Sequence, residues 1–295
     1  MDKPGAHPPA RLPASWQLAP HRHATELAGH LLPDLRRWVA LADAPAALLA
    51  PDTLFEWLER HYPQGWLIRG AHPPLLKAAR RHGLHYLVSG QEALLQPDQP
   101  PRKSLRELAR RGRRWGEIVA YTPQLAQTWQ RLQPPPGNRL QHLFRQRPER
   151  ARHAWLLLTP EERPLGAISL SAGGPACLHL EEMNRKADAP VGIMEALLLH
   201  ALKAARQNGY QWLSLGEVPF TGPAFGPRMK LLYRTGNSGQ KSFNPNGLRS
   251  FKAKFHPHWQ PIGWVSNRPI GLGTLGSLFF QTNAAQLWLR GWLGL

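Results

Sequence analysis

The second half of the chain constrains its fold more tightly than any other stretch. Trp155-Leu-Leu-Leu158 reads as a short buried strand, and Glu161-Glu-Arg-Pro164 as a turn. Leu165-Gly-Ala-Ile-Ser-Leu170 is a second strand, Gly173-Gly174-Pro175 a second turn, and Cys177-Leu-His-Leu-Glu-Glu182 a third strand. Residues Ile193 to Gln207 then carry a helical apolar period that stops at Gly209, and Tyr210-Gln-Trp-Leu-Ser-Leu215 is a fourth strand. A tight turn returns a strand antiparallel, whereas a helical crossover returns it parallel. The order is therefore a three-strand meander followed by a crossover to a parallel strand. This predicts a mixed sheet flanked by helices, an α+β (α/β) class, and excludes a helical bundle.

The first half alternates in a looser way. Trp38-Val39-Ala40-Leu41-Ala42, Gly65-Trp66-Leu67-Ile68 and Leu84 to Val88 read as strands. Thr53 to Arg60, with Asp52 as its N-cap, and Pro73 to His82, with Gly83 beyond its end, read as helices. After the break at Gln96-Pro-Asp-Gln-Pro-Pro101 comes Arg102-Lys-Ser-Leu-Arg-Glu-Leu-Ala-Arg-Arg-Gly-Arg-Arg-Trp115. At 100° per residue Arg102, Arg106, Arg110 and Arg113 share one stripe, and Leu105, Leu108, Ala109 and Trp115 share another. Arg145, Arg147, Arg150 and Arg152 form a second basic cluster.

Charge narrows the partners. Lys and Arg number 37 against 19 for Asp and Glu, a formal charge of +18, and the surplus is clustered. An anionic partner is expected, either nucleic acid or an anionic membrane face. With Cys177 as the only cysteine, an internal disulfide and a cysteine-based metal site are both excluded. The close histidine pairs, His21/His23 and His256/His258, lack a Cys or carboxylate at ligand spacing, so no metal is expected. No apolar run approaches the ~20 residues of a membrane span, and the first residues do not read as a signal peptide.

Four stretches together resemble the C-terminal domain of the phosphatidylglycerol lysyltransferase family, also called the multiple peptide resistance factor. Gly192-Ile-Met-Glu-Ala-Leu197 is similar to the family's Gly-x-Met-Asp helix start. Gly209-Tyr-Gln-Trp-Leu-Ser-Leu-Gly216, followed by Pro219 and Gly222, resembles its Gly-Tyr-x-x-Phe-x-Leu-Gly-x-x-Pro-x-x-Gly. Gly247-Leu-Arg-Ser-Phe-Lys-Ala-Lys-Phe-His-Pro-His-Trp259 resembles Gly-Leu-Arg-x-Phe-Lys-x-Lys-Phe-x-Pro-x-Trp closely, and Gly90-Gln-Glu-Ala93 is a weaker match. The resemblance implies tandem GNAT-like acyltransferase units with mixed central sheets, joined by a basic helix. Residues 1–20 are then a flexible N-terminal segment, 21–100 the first unit, 101–120 the linking helix, 121–268 the catalytic unit and 269–295 an apolar C-terminal segment.

The resemblance also implies a reaction: transfer of an amino acid from aminoacyl-tRNA to a lipid hydroxyl, that of phosphatidylglycerol or a related amphipathic acceptor. An aminoacyl ester is already activated, so the chemistry needs positioning and charge stabilisation and no cofactor. Glu181, Lys252 and Lys254 are the expected catalytic residues. If Phe251–Phe255 is extended, both lysines face one side, toward a phosphate or the oxyanion, and the phenylalanines anchor the other. Glu181, at the end of its strand, suits either the amino acid's ammonium or a general base; the plainer alternative is a surface carboxylate paired with Arg185. Asn184, Arg185, Gly192, Glu217, Arg249 and His256 are expected to bind substrate. Glu195 has an ordinary explanation as a favourable charge at a helix N-terminus.

Arg102, Arg106, Arg110 and Arg113 are expected to hold tRNA or other phosphates. The family often has Asp-Leu-Met-Arg where this chain reads Glu181-Glu-Met-Asn-Arg185, which leaves the amino acid and acceptor open. The family's membrane-embedded half is absent from this sequence, so a separate membrane protein is a further candidate partner. The expected setting is the cytoplasm, with peripheral contact at the inner face of the cytoplasmic membrane. Two alternatives stand beside this reading. One is an acyl-CoA-dependent GNAT acyltransferase, against which Asp188-Ala-Pro-Val-Gly-Ile-Met lacks the second glycine of a pyrophosphate loop. The other is a non-catalytic basic module for RNA or membrane. The apolar stretch from Ile270 to Leu295 fits either a membrane interface or a helix packed on the domain.

Overall fold

In a computed structural model, residues 29–31, 37–39, 50–134, 148–222, 230–231, 234 and 244–293 are described. Their strands are β1 (Gly29–Leu31), β2 (Arg37–Val39), β3 (Trp66–Ala71), β4 (His85–Leu95), β5 (Glu117–Ala120), β6 (His153–Leu158), β7 (Pro164–Ala172), β8 (Cys177–Arg185), β9 (Trp212–Pro219) and β10 (His258–Ser266). The helices are α1 (Pro51–His61), α2 (Pro73–Arg81), α3 (Lys103–Arg113), α4 (Ala126–Gln130), α5 (Ile193–Gln207), α6 (Pro245–Ala253), α7 (Leu272–Gln281) and α8 (Ala284–Leu293). The strands form one sheet in the order β1-β2-β3-β10-β4-β9-β8-β7-β6-β5.

The expected meander is present: β6, β7 and β8 pair antiparallel in turn, and α5 carries the chain to β9, parallel to β8. Both faces of this part of the sheet are covered. Along β6, Trp155 and Leu157 join the core beneath α3 and α5, while Ala154, Leu156 and Leu158 face Trp129 of α4. This is the period-2 alternation of a strand buried on both sides. From α5, Ile193, Met194, Ala196, Leu197, Leu198, Ala201, Leu202 and Ala205 enter the first core. Each fully buried large aliphatic side chain there contributes about 2 kcal/mol.

In the first half, β4 runs on to Leu95, well past the expected Val88, because it is held between β9 and β10. Ala50, rather than Asp52, caps α1; Asp52 lies in the first turn and pairs with His82 at 2.8 Å. Within the expected linking helix 101–120, α3 occupies only Lys103–Arg113, and Glu117–Ala120 is already a sheet strand. Leu105 and Ala109 of α3 are buried as expected, whereas Trp115 is 54% exposed and stands off the apolar stripe. Gly112 and Gly192 let α3 lie against the start of α5. A Cβ on either would overlap the other segment's backbone, and Gly192 has a φ of +102°.

The His-Pro-His-Trp end of the signature opens β10, which no strand pattern announces. It pairs antiparallel with both β3 and β4 and so knits the chain's C-terminal part into its first half. Residues 1–28, with His21 and His23, lie outside the described residues, as do Arg145, Arg147 and most of the predicted strand at 38–42. Among the described residues no helix is long and apolar enough to cross a membrane.

Candidate active site between two diverging parallel strands

Strands β8 and β9 pair only over Cys177–His179 and Trp212–Ser214, although both continue beyond. Past that point a bulge interrupts each strand. Ser169 and Leu170 of β7 face Glu182 and Leu180, so Glu181 is the extra residue of a bulge in β8. Leu94 and Glu92 of β4 face Ser214 and Glu217, so β9 carries one extra residue in Leu215–Gly216. Bulges re-aim side chains and end strand pairing. Together they open a cleft between two parallel strands beside their crossover helix, where sheets of this kind receive ligands.

The two sides of these strands differ. Leu178, Leu180, Leu213 and Leu215 belong to the core under α5. On the other side lie His179, Glu181, Glu182 and Ser214. Glu181 is 3% exposed and accepts a hydrogen bond from the Ser171 hydroxyl. Glu182 accepts from Gln133 Nε2 at 3.2 Å, so the bulge turns two consecutive carboxylates to one face. Ser214 Oγ donates to Glu92 Oε1 at 2.5 Å, lies 3.1 Å from His179 Nδ1 and accepts from the Gly216 amide at 3.0 Å. Gln260 Nε2 of β10 donates to Glu92 Oε2 at 3.0 Å. Glu92 is fully buried, and this partnering is what such a carboxylate needs.

Lys252 enters the cleft from α6. Its Nζ is buried and donates to the carbonyl oxygens of Gly216 and Glu217, each at 3.1 Å. Burial pulls its pKa down to about 7, although the charges of Glu217 and Glu92 oppose that fall. Gly216 takes φ +80°, a left-handed conformation that favours glycine. A Cβ there would stand 3.8 Å from Nζ and 3.7 Å from both His179 Cε1 and the Leu180 carbonyl. Glu217 pairs with Arg69 of β3 and accepts from Ser89 Oγ at 2.6 Å, so the first half of the chain buttresses the cleft.

The extended reading of Phe251–Phe255 is corrected. Pro245 at the first turn and Asn244, whose side chain accepts from the Gly247 amide at 2.8 Å, start a helix that runs to Ala253. On a helix end Lys252 and Lys254 point apart. Lys252 lies under the β9 carbonyls, whereas Lys254, at the surface, meets Glu195 Oε1 at 2.9 Å. Phe251 and Phe255, four apart, pack edge to face at 5.7 Å. Glu195 is therefore a buried anchor for Lys254 as well as a first-turn acid. Glu181 is likewise neither strand-terminal nor at the surface: β8 continues to Arg185, which is exposed.

The remaining expected site residues are spread. Asn184 lies further along β8, and its Nδ2 is buried without a partner among the described residues. Gly192 is the contact point with α3. The Arg249 guanidinium stacks over Trp259 at 5.3 Å. His256, at φ +52°, lines a separate hollow with Phe255, Leu202 and Arg102. Arg102, Arg106, Arg110 and Arg113 are exposed along α3. Arg110 is tied to Glu107 at 2.7 Å, and that guanidinium holds the Glu107 carboxyl down at about 2. Sequence reasoning missed Glu92, His179, Ser214, Gln260, Arg69 and Ser89. The available signal was a polar residue within an apolar run, as in Leu213-Ser-Leu215, or at its edge, as in Glu92-Ala-Leu-Leu95.

The model for the family described as phosphatidylglycerol lysyltransferase, C-terminal, matches residues 49–262. The lysylphosphatidylglycerol biosynthesis bifunctional protein LysX of Gordonia bronchialis is 26% identical over 250 residues, covering 72% of this chain and 21% of its own length. The chain thus spans about a fifth of that relative. Among solved structures, L-PGS from Bacillus licheniformis aligns at a TM-score of 0.61 and 17% identity, over 85% of this chain and 82% of that one. The C-terminal domain of an Agrobacterium fabrum protein named as a lysylphosphatidylglycerol synthetase aligns at 0.61 and 20% identity, over 88% and 85%.

Proposed function

This chain belongs to the phosphatidylglycerol lysyltransferase C-terminal family, and from that premise we propose that it moves an amino acid from aminoacyl-tRNA to a hydroxyl of a lipid, phosphatidylglycerol or a related amphipathic acceptor. The observation that carries the proposal is the parting of β8 and β9, where the buried Lys252 Nζ bonds to the Gly216 and Glu217 carbonyls and feels the charges of Glu217 and Glu92. The acceptor oxygen attacks the ester carbonyl and loses its proton. The tetrahedral intermediate then collapses, the ester C–O bond breaks, and the ribose oxygen leaves with a proton. A group with a pKa near the working pH serves both transfers. Lys252 has that property, and its two bonds to the β9 carbonyls fix its orientation. In this reading Lys252 carries the proton rather than standing as a fixed cation. Glu181 suits the substrate's ammonium, which a carboxylate binds by a charge-assisted hydrogen bond.

Lys254, Asn184, Arg185, Arg249 and His256 remain candidates for acceptor and donor contacts. The exposed arginines of α3 supply a surface for tRNA phosphates. Leu272, Phe279, Phe280 and Leu289, all exposed on α7 and α8, supply an apolar surface through which a lipid acceptor can be met. The acyl-CoA alternative is weakened by α3, which lies against the N-terminus of α5 at Gly192, where a pyrophosphate would have to sit. The test is incorporation of a radiolabelled amino acid, supplied on tRNA, into the chloroform phase of a lipid extract. Incorporation abolished by prior RNase treatment is expected; incorporation indifferent to RNase rules out the tRNA donor.

A further inference from the structure

Trp115 is the one residue of the basic helix region whose placement departs from its pattern. Its period assigns it to the apolar stripe, yet it is 54% exposed, just beyond the end of α3. An exposed indole directly following two exposed arginines combines an open π-face with adjacent cations, the pairing that unpaired bases and their phosphates use. The indole is also held on rigid backbone. The amides of Arg114 and Trp115 bond to the carbonyls of Arg111 and Gly112 at 3.2 Å, and Gly116 lies against the Leu158 carbonyl of β6 too closely for any Cβ.

Its surroundings are cationic. Arg113 and Arg114 precede it, both exposed and without an acidic partner among the described residues. The charges of Arg113 and Lys203, after burial, lower the pKa of His200, which places these cations around one ring of α5. His200 meets Trp155 edge-on at 5.1 Å, and His153, beside Arg152, stacks on the same indole at 5.2 Å. Arg113 and Lys203 thus flank His200 on α5, and the exposed indole of Trp115 follows Arg113 and Arg114 directly in the chain.

We infer that Trp115 is a stacking platform for an unpaired base of a single-stranded RNA end, with Arg113, Arg114 and Lys203 on the adjoining phosphates. Rigid aromatic faces interleaved with cations bind single strands, because every base has a π-face while the cations follow the backbone. A lone indole on rigid backbone, with cations to one side, matches one splayed base better than it matches a lipid surface, for which the apolar area lies instead on α7 and α8. The inference deepens the tRNA reading by naming where the acceptor end docks.

The test is fluorescence anisotropy of a labelled four-nucleotide RNA, ACCA, with the full chain, together with sedimentation on vesicles of phosphatidylglycerol. Trp115→Ala is expected to weaken RNA binding about 10-fold with an unchanged salt dependence. Trp115→Phe is expected to restore most of the affinity, and Arg113→Gln to flatten the salt dependence instead. RNA affinity unchanged in Trp115→Ala overturns the inference, and vesicle binding lost in the same variant reassigns the indole to membrane. Because no aminoacyl group is present, the result is independent of the transfer assay: stacking without RNase-sensitive transfer leaves this inference standing and removes the proposed reaction.

Discussion

The two faces of β8 and β9 are built by the same strands and follow opposite rules. On the α5 side, Leu178, Leu180, Leu213 and Leu215 pack into a continuous apolar core. On the other side His179, Glu181 and Ser214 are equally buried but polar; hydrogen bonds join His179 and Ser214 to Glu92 and Gln260, and Glu181 to Ser171. The first face gains free energy from burial; the second spends desolvation on charged and polar groups and recovers only part of it. A fold under pressure for stability alone would not place two bulges and a buried lysine there. The difference separates residues that hold the sheet together from residues proposed to act on substrate.

Four perturbations break or sharpen this contrast, in decreasing size. The largest concerns Lys252. Its folded pKa of about 7 lies below the ordinary 10.5, so between those values the unfolded chain binds more protons and stability rises with pH. Below pH 7 both states are protonated, and the penalty of burying the ammonium is complete. Denaturant unfolding from pH 7 to 10.5 is expected to show a gain of roughly 4 kcal/mol that Lys252→Met lacks. Next, Leu213→Ala on the apolar face is expected to lower stability by about 3 kcal/mol in the same measurement, with the KM of the folded enzyme unchanged. Glu181→Gln should do the reverse, raising the KM for aminoacyl-tRNA about 10-fold while shifting the denaturant midpoint little. The smallest effect belongs to Lys254→Met, which takes a 44% exposed partner from the buried Glu195 carboxylate; solvent at the lysine end keeps the expected loss to about 1 kcal/mol by thermal unfolding.

The same contrast explains what the sequence reveals and what it hides. The apolar face was legible: four runs of Leu, Ile and Trp with turns between them predict β6 to β9 and α5 within a few residues. The polar face was legible only as isolated residues. Glu181 stood out, but its burial depends on a bulge created by pairing with β7, which no local pattern encodes. Ser214 and Glu92 come from segments far apart in sequence, and their hydrogen bond exists only because β4 and β9 are neighbours. The signature is recognisable in the sequence, but its geometry is not. Alternation of Phe and Lys suggests a strand, whereas Pro245 and the Asn244 cap commit the segment to a helix. Strand β10 is hidden in the sequence because Pro257, Pro261 and Gly263 read as breaks. Pro261 is tolerated beside the bulge at Ile262/Gly263, one of the few places a central strand accepts proline.

The central claim is that the polar cleft moves a proton through Lys252 during aminoacyl transfer. It is tested most directly by the initial rate of label transfer into the chloroform phase between pH 5.5 and 9, in wild type and in Lys252→Met. The wild-type rate is expected to rise through a pKa near 7 and level off, and Lys252→Met to be slower by about 10²–10⁴ with that rise gone. A Lys252→Met enzyme that keeps the wild-type rate and pH profile contradicts the account.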